Sequence, residues 1–93
     1  MELKHVAGKK KRRIVLYALS TCAWCKKTRK LLESIGVDYY FTYVDLLEGK
    51  DREDIEETVA RWNPNDSFPT IVIDEQEVIA GFDEEKIRKV LES

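Results

Sequence analysis

Apolar and polar positions fall in blocks along the chain, and the spacing within each block predicts an element. Residues 13–19, Arg-Ile-Val-Leu-Tyr-Ala-Leu, form a continuous, partly β-branched run closed by Ser20 and Thr21, the pattern of a buried strand. From Ser20 the spacing becomes helical. Thr28, Leu31, Leu32 and Ile35 share one face, Ser20 or Thr21 is available as a cap and Gly36 as a stop, which predicts an amphipathic helix of about four turns. Residues 39–45 are aromatic and β-branched and read as a second strand. A connection over 46–50 leads to a second helix over 52–62, with Ile55, Val59 and Trp62 on one face and Asn63-Pro64-Asn65 at its end. Pro69 opens a strand over 70–74, Glu75-Gln76 turns the chain and 77–80 returns as the second arm of a hairpin. Ile87, Val90 and Leu91 mark a last short helix.

The order is βαβαββα. A right-handed βαβ crossover makes the first two strands parallel and the hairpin adds antiparallel pairs. The expected fold is therefore α/β, a four-stranded mixed sheet flanked by three helices. Residues 1–11 show no sustained period and end in the run Lys9-Lys10-Lys11-Arg12-Arg13, so they read as a basic N-terminal tail before a domain over 12–93.

Composition fits this picture. Ninety-three residues, 43% of them apolar, make one core rather than two. The net charge of −2 implies no general attraction to nucleic acid or anionic lipid. That total hides an uneven distribution: residues 1–30 carry ten Lys/Arg and one Glu, while residues 31–93 carry six Lys/Arg and seventeen Asp/Glu. The acidic majority would repel a nucleic-acid backbone, so the Lys9–Arg13 run reads as a solvated tail and no nucleic-acid partner is expected.

Basic residues, a short apolar run and Leu19-Ser20-Thr21-Cys22 together imitate a lipoprotein signal. The apolar run is too short, and cleavage would delete the first strand. No run approaches the ~20 apolar residues of a membrane span. The expected location is the cytoplasm, with no membrane partner.

Chemistry concentrates at Cys22-Ala23-Trp24-Cys25, the two cysteines of the chain. They close too small a loop to staple the fold. At a helix start, outward-pointing N–H groups stabilise an anion, and Lys26, Lys27 and Arg29 add positive charge. That setting favours a thiolate, the nucleophile of disulfide exchange, at Cys22, with Cys25 as the resolving thiol. Half of a zinc site is another use of such a pair, but completing it needs more ligands and the single histidine, His5, lies in the tail. Two inert core cysteines are a third, set against the polar residues on both sides.

With these features in place the chain resembles a glutaredoxin, of the thioredoxin superfamily, over residues 13–92. The resemblance is carried by Thr21-Cys-Ala-Trp-Cys25, by Ser67-Phe-Pro-Thr70 in place of the family's Thr-Val-Pro, and by Ala80-Gly-Phe-Asp83 in place of its Gly-Gly-x-Asp. It implies a thioredoxin-like fold and a redox-active Cys22–Cys25 disulfide with no tightly bound cofactor. It also implies a cis Pro69 facing the active-site cysteine, which leaves the Phe68 backbone to pair with an extended substrate. An ordinary trans proline opening a strand is the plainer alternative. Gly81 would allow close backbone approach, or simply turn the chain. Asp83 at the last helix would help to receive a carboxylate, or simply cap that helix.

Departures from the pattern bear on the reductant. Many glutathione-using members carry Lys where this chain has Leu19, and Phe82 replaces part of the paired-glycine motif. These features are similar to the glutaredoxin-like hydrogen donors that a thioredoxin-type reductase reduces. Trp24 and Phe82 offer either an apolar rim for a protein surface or ordinary packing. Lys26 or Lys27 could still meet a glutathione carboxylate, so glutathione stays a candidate reductant beside thioredoxin-type and ferredoxin-linked reductases. The expected function is a monomeric dithiol–disulfide oxidoreductase that reduces protein disulfides or passes electrons to a reductive enzyme. The competing reading is a [2Fe–2S] carrier, a dimer held through Cys22 and glutathione, as some glutaredoxins are.

Overall fold

The alternating faces of one five-residue strand organise the molecule. The computed structural model describes residues 3–65 and 67–92. Its strands are β1 (Lys4–Val6), β2 (Ile14–Ala18), β3 (Tyr39–Tyr43), β4 (Thr70–Ile73) and β5 (Glu77–Ala80), and its helices are α1 (Ala23–Ile35), α2 (Gly49–Trp62) and α3 (Glu84–Leu91), with a 3₁₀ turn at Val44–Leu46. Every residue of β2 is buried. Ile14, Leu16 and Ala18 pack with Leu31 and Leu32 of α1 and with Ile87 and Leu91 of α3. Val15 and Tyr17 point the other way, onto Ile55 and Val59 of α2. Two helices therefore cover one face of the sheet and one covers the other, as period-two alternation on a central strand requires.

The sheet order is β1-β3-β2-β4-β5. β2 and β3 are parallel across the α1 crossover, while β2–β4 and β4–β5 are antiparallel. The expected βαβαββα succession is present, and the α/β class stands. Among the described residues no helix is long and apolar enough to cross a membrane.

The strand count is corrected from four to five, because part of the stretch expected as a tail enters the sheet. Residues 4–6 pair antiparallel with β3, placing Lys4 opposite Phe41 and Val6 opposite Tyr39. Local periodicity could not reveal a three-residue strand whose anchors lie more than thirty positions away. His5 Nε2 donates to Asp38 Oδ1 at 2.7 Å, and the Gly8 N–H reaches the same oxygen at 3.2 Å. The His5 ring also stacks on Tyr40 with centroids 4.7 Å apart. Lys9 bridges to Val37: its N–H donates to the Gly36 carbonyl at 2.8 Å and its carbonyl accepts the Asp38 N–H at 3.1 Å. The basic run is fixed as well. Arg12 meets Glu77 at 3.3 Å and Arg13 lies over the Tyr40 ring at 5.3 Å. The first two residues of the expected tail lie outside the described residues.

Smaller boundary shifts have local causes. α1 begins at Ala23 with Cys22 itself as its N-cap, in place of Ser20 or Thr21. Gly36, in the left-handed region at φ 83°, closes α1 and donates to the Leu32 and Glu33 carbonyls. The β4–β5 connection starts one residue earlier than expected and spans 74–76, with the return strand beginning at Glu77 as expected: Asp74 and Glu75 both have positive φ, and the Gln76 N–H donates to the Ile73 carbonyl at 3.0 Å.

Candidate active site

β2 ends at Ala18, and the short turn after it delivers Cys22 to the start of α1. The Cys22 N–H donates to the Leu19 carbonyl at 3.2 Å, and Cys22 Sγ accepts the Cys25 N–H at 3.2 Å. Cysteine here occupies the capping position usually held by Ser, Thr or Asp, so its sulfur faces helix N–H groups that have no partner within the helix. Such a site stabilises negative charge on sulfur. Cys22 is half-buried. Cys25, one turn further on, is 1% exposed.

The two sulfurs are thus unequal. Burial, the hydrogen bond with Cys22 and the negative neighbours Cys22 and Asp45 outweigh a hydrogen bond from the Leu19 backbone, and the Cys25 thiol is pushed up to about 12. Cys25 rests as a thiol near neutral pH, and both cysteines are free in the structure.

Strand pairing brings the remote motifs to the same end of the sheet. Tyr17 lies opposite Thr70, so the residue before Thr70 sits beside the end of β2. That residue is Pro69, buried, with the Phe68–Pro69 peptide bond cis. The Gly81 N–H donates to the Pro69 carbonyl at 2.8 Å, which ties the third motif to the second, and Gly81 turns the chain at φ 81°. Cys22, Phe68 and Phe82 all pack on the core cluster that contains Cys25. Asp83 caps α3, its Oδ1 accepting the Lys86 N–H at 3.1 Å.

Around the sulfur pair, Trp24 is 54% exposed and meets Phe82 with ring centroids 5.5 Å apart. Lys27 Nζ lies 4.5 Å above the Trp24 ring. Lys26 is exposed. Arg29, expected to add positive charge near Cys22, is engaged elsewhere: it donates to Tyr39 Oη at 3.1 Å and Tyr43 Oη at 3.0 Å, and lies 3.9 Å over the Phe41 ring. An open groove of about 400 Å³ continues from Phe82 between α1 and α3, lined by Lys27, Lys30, Glu84 and Arg88 among others.

Two supports of this region are not marked by any sequence motif. Asp45 accepts both the N–H and the hydroxyl of Ser20, at 2.8 Å and 2.5 Å, and so fastens the turn before Cys22. Asn63, read as the end of a helix, is 3% exposed and holds the loop that carries Pro69. Its Nδ2 reaches the Ser67 carbonyl, Ser67 Oγ and Thr70 Oγ1 at 3.0–3.1 Å. Neither could be found by motif, since each acts on a partner distant from its own element's pattern; the position of Asp45 just after an aromatic strand is the sole hint. Asn63→Ala should destabilise the protein by about 1–2 kcal/mol, measured by urea denaturation, because buried acceptors lose their donor. It should slow thiol exchange as well; stability and rate both unchanged would remove Asn63 from the site's support.

Among the described residues no cluster of three or more His, Cys, Asp or Glu side chains is arranged to hold a metal ion. A family model, Glutaredoxin, matches residues 14–78. An uncharacterized glutaredoxin-like 8.6 kDa protein in a rubredoxin operon of Clostridium pasteurianum is 34% identical over 79 residues, covering 85% of this chain and 97% of the relative. The crystal structure of a glutaredoxin from Methanosarcina mazei Go1 superposes with a TM-score of 0.90 at 48% identity, covering 98% of this chain and 88% of the other. Methanosarcina acetivorans methanoredoxin gives a TM-score of 0.90 at 48% identity, over 95% and 93%.

Proposed function

This chain belongs to the glutaredoxin family, and from that premise we propose that it is a dithiol–disulfide oxidoreductase that reduces protein disulfides or hands electrons to a reductive enzyme. The observation that carries the reading is the unequal sulfur pair, with Cys22 Sγ at the helix N-cap and Cys25 buried one turn behind it.

The Cys22 thiolate attacks one sulfur of a substrate disulfide. A new S–S bond joins Cys22 to the substrate as the substrate's own S–S bond breaks, and the departing sulfur takes a proton from water. Cys25 then attacks Cys22 Sγ, forming the Cys22–Cys25 disulfide as the Cys22–substrate S–S bond breaks, and its proton passes to the departing second substrate sulfur, which leaves as a thiol. Two electrons pass from the pair to the substrate. Delivery of Cys25 from the same helical turn makes the second step effectively unimolecular.

The remaining residues form the substrate face. The Phe68 backbone beside cis Pro69 offers an edge for an extended chain, and Gly81 leaves room for that chain to approach. Trp24, exposed, and Phe82, half-buried, present an aromatic pair, with Lys27 over the Trp24 ring and Lys26 exposed nearby, and the groove between α1 and α3 extends this surface. A protein surface fits it better than a tripeptide. Asp83 supports the same face by capping α3.

Leu19 cannot supply the cation that many glutathione-using members place there, and the rubredoxin-operon context of the Clostridium relative supports a redox-protein partner. A thioredoxin-type or ferredoxin-linked reductase is therefore the proposed electron source, with the protein acting as a monomer in the cytoplasm. The test offers the oxidised protein to glutathione with its reductase, to thioredoxin reductase and to a ferredoxin-linked system. One of the latter two should reduce it at least about tenfold faster than glutathione, the worth of one lost charge-assisted contact. Equal or faster reduction by glutathione overturns the assignment of the electron source.

A further inference from the structure

Asp45 sits in the 3₁₀ turn after β3, outside every motif that marks the site, yet its carboxylate reaches into the turn that delivers Cys22. Oδ1 accepts the Ser20 N–H and Oδ2 accepts the Ser20 hydroxyl, so one side chain fixes both the backbone and the side chain of a residue two positions before the nucleophile. The next hydrogen bond along, from the Cys22 N–H to the Leu19 carbonyl, completes the turn. One carboxylate is thus tied to the turn that presents Cys22, through both the main chain and the side chain of Ser20.

We propose that Asp45 is a positioning residue of the thiol pair: through Ser20 it holds the Leu19–Cys22 turn and so fixes where Cys22 Sγ meets the substrate and Cys25. The assignment rests on the thiol-exchange reading above.

The charge state of Asp45 fits this role. Hydrogen bonds from the Ser20 hydroxyl and then the Ser20 N–H, with Arg52 of α2 adding attraction, hold the Asp45 carboxyl below the ordinary carboxylate range, so it is charged at working pH. Cys25 faces two negative neighbours, Cys22 and Asp45.

The experiment uses the Cys22→Ser chain, in which Cys25 is the sole thiol, and follows its thiolate absorbance against pH. Adding Asp45→Asn keeps an oxygen to accept the Ser20 N–H but removes the charge. It should bring the onset of Cys25 ionisation to lower pH, with about threefold more thiolate at any pH below the midpoint, as for one carboxylate acting through partly wetted protein. Adding Ser20→Ala instead keeps the charge and should leave the onset in place. Coincident curves for Cys22→Ser with and without Asp45→Asn would overturn the placement of Asp45 against the thiol pair. In chains that keep both cysteines, Asp45→Ala should slow reduction of a model disulfide about tenfold through loss of the turn, with Asp45→Asn restoring most of the rate. Wild-type turnover in Asp45→Ala would overturn the positioning role; so would equal losses in Asp45→Ala and Asp45→Asn. The titration needs no substrate, so it reads Asp45 even if the wild-type chain reduces no disulfide offered to it, and that separate result would instead strike the oxidoreductase reading.

Discussion

Cys22→Ser should abolish reduction of a model disulfide, with a loss of about a thousandfold or more, because a serine hydroxyl is a far weaker nucleophile than a thiol and cannot form the S–S bond the first step requires. Cys25→Ser has a different signature. Cys22 still attacks and expels one equivalent of substrate thiol, but no internal sulfur follows, so the protein accumulates as a mixed disulfide visible on a non-reducing gel and by mass spectrometry. The asymmetry follows from burial. Cys22 is half-buried and open to a partner, whereas Cys25 at 1% exposure can reach little but Cys22. Turnover that survives in Cys22→Ser, or a mixed disulfide formed through Cys25 in that variant, would reverse the assignment of the two sulfurs.

Gly8→Ala should destabilise the fold by about 1–3 kcal/mol, the usual cost of forcing an extra carbon into packed structure. A Cβ at Gly8 would lie 2.5 Å from the Val37 carbonyl carbon and 2.7 Å from the Asp38 nitrogen, both backbone atoms with no rotamer to change. The expected readouts are a lower urea midpoint and lost amide protection in β1. Lys10→Ala, an exposed neighbour, should stay within about 0.5 kcal/mol of wild type. The same attachment should weaken in acid. Burial raises the cost of charging Asp38, but the hydrogen bonds from His5 and Gly8 win and hold its carboxyl below the ordinary range. A carboxyl lowered on folding contributes stability above its unfolded value of about 4, and that contribution fades as pH falls through the lower folded value. Asp38→Asn should flatten this part of the acid limb. An unchanged urea midpoint in Gly8→Ala would mean that the segment before β2 gives without cost.

How much of this was legible in the sequence depended on the range of the interactions involved. Residues 13–19 and 39–45 announced buried strands because their own side chains fill the core. The helical stripe through Thr28, Leu31 and Leu32 did the same for α1. The cysteine pair was legible because its chemistry depends on local spacing. Lys4–Val6 was not, since two of its three residues are exposed and its place is set by His5 and Gly8 meeting Asp38 across the sheet. The cap of α1 was misplaced for a similar reason: the Ser20 hydroxyl is drawn to Asp45, which leaves the capping position to Cys22. Arg29 reads in the sequence as part of the positive field but is bound by Tyr39 and Tyr43, partners contributed by β3.

The position of β1 bears on solubility. β3, Tyr-Tyr-Phe-Thr-Tyr, contains no charge, proline or glycine, and its other neighbour is the central strand β2. With its outer side bare it would present an uncharged aromatic strand with unpaired backbone groups, the kind of template on which chains stack into aggregates. β1 occupies that side, and brings Lys4 over the Phe41 ring and His5 against Tyr40. Three residues at the start of the chain thus act as a guard strand, trading a self-complementary edge for a short, partly cationic one.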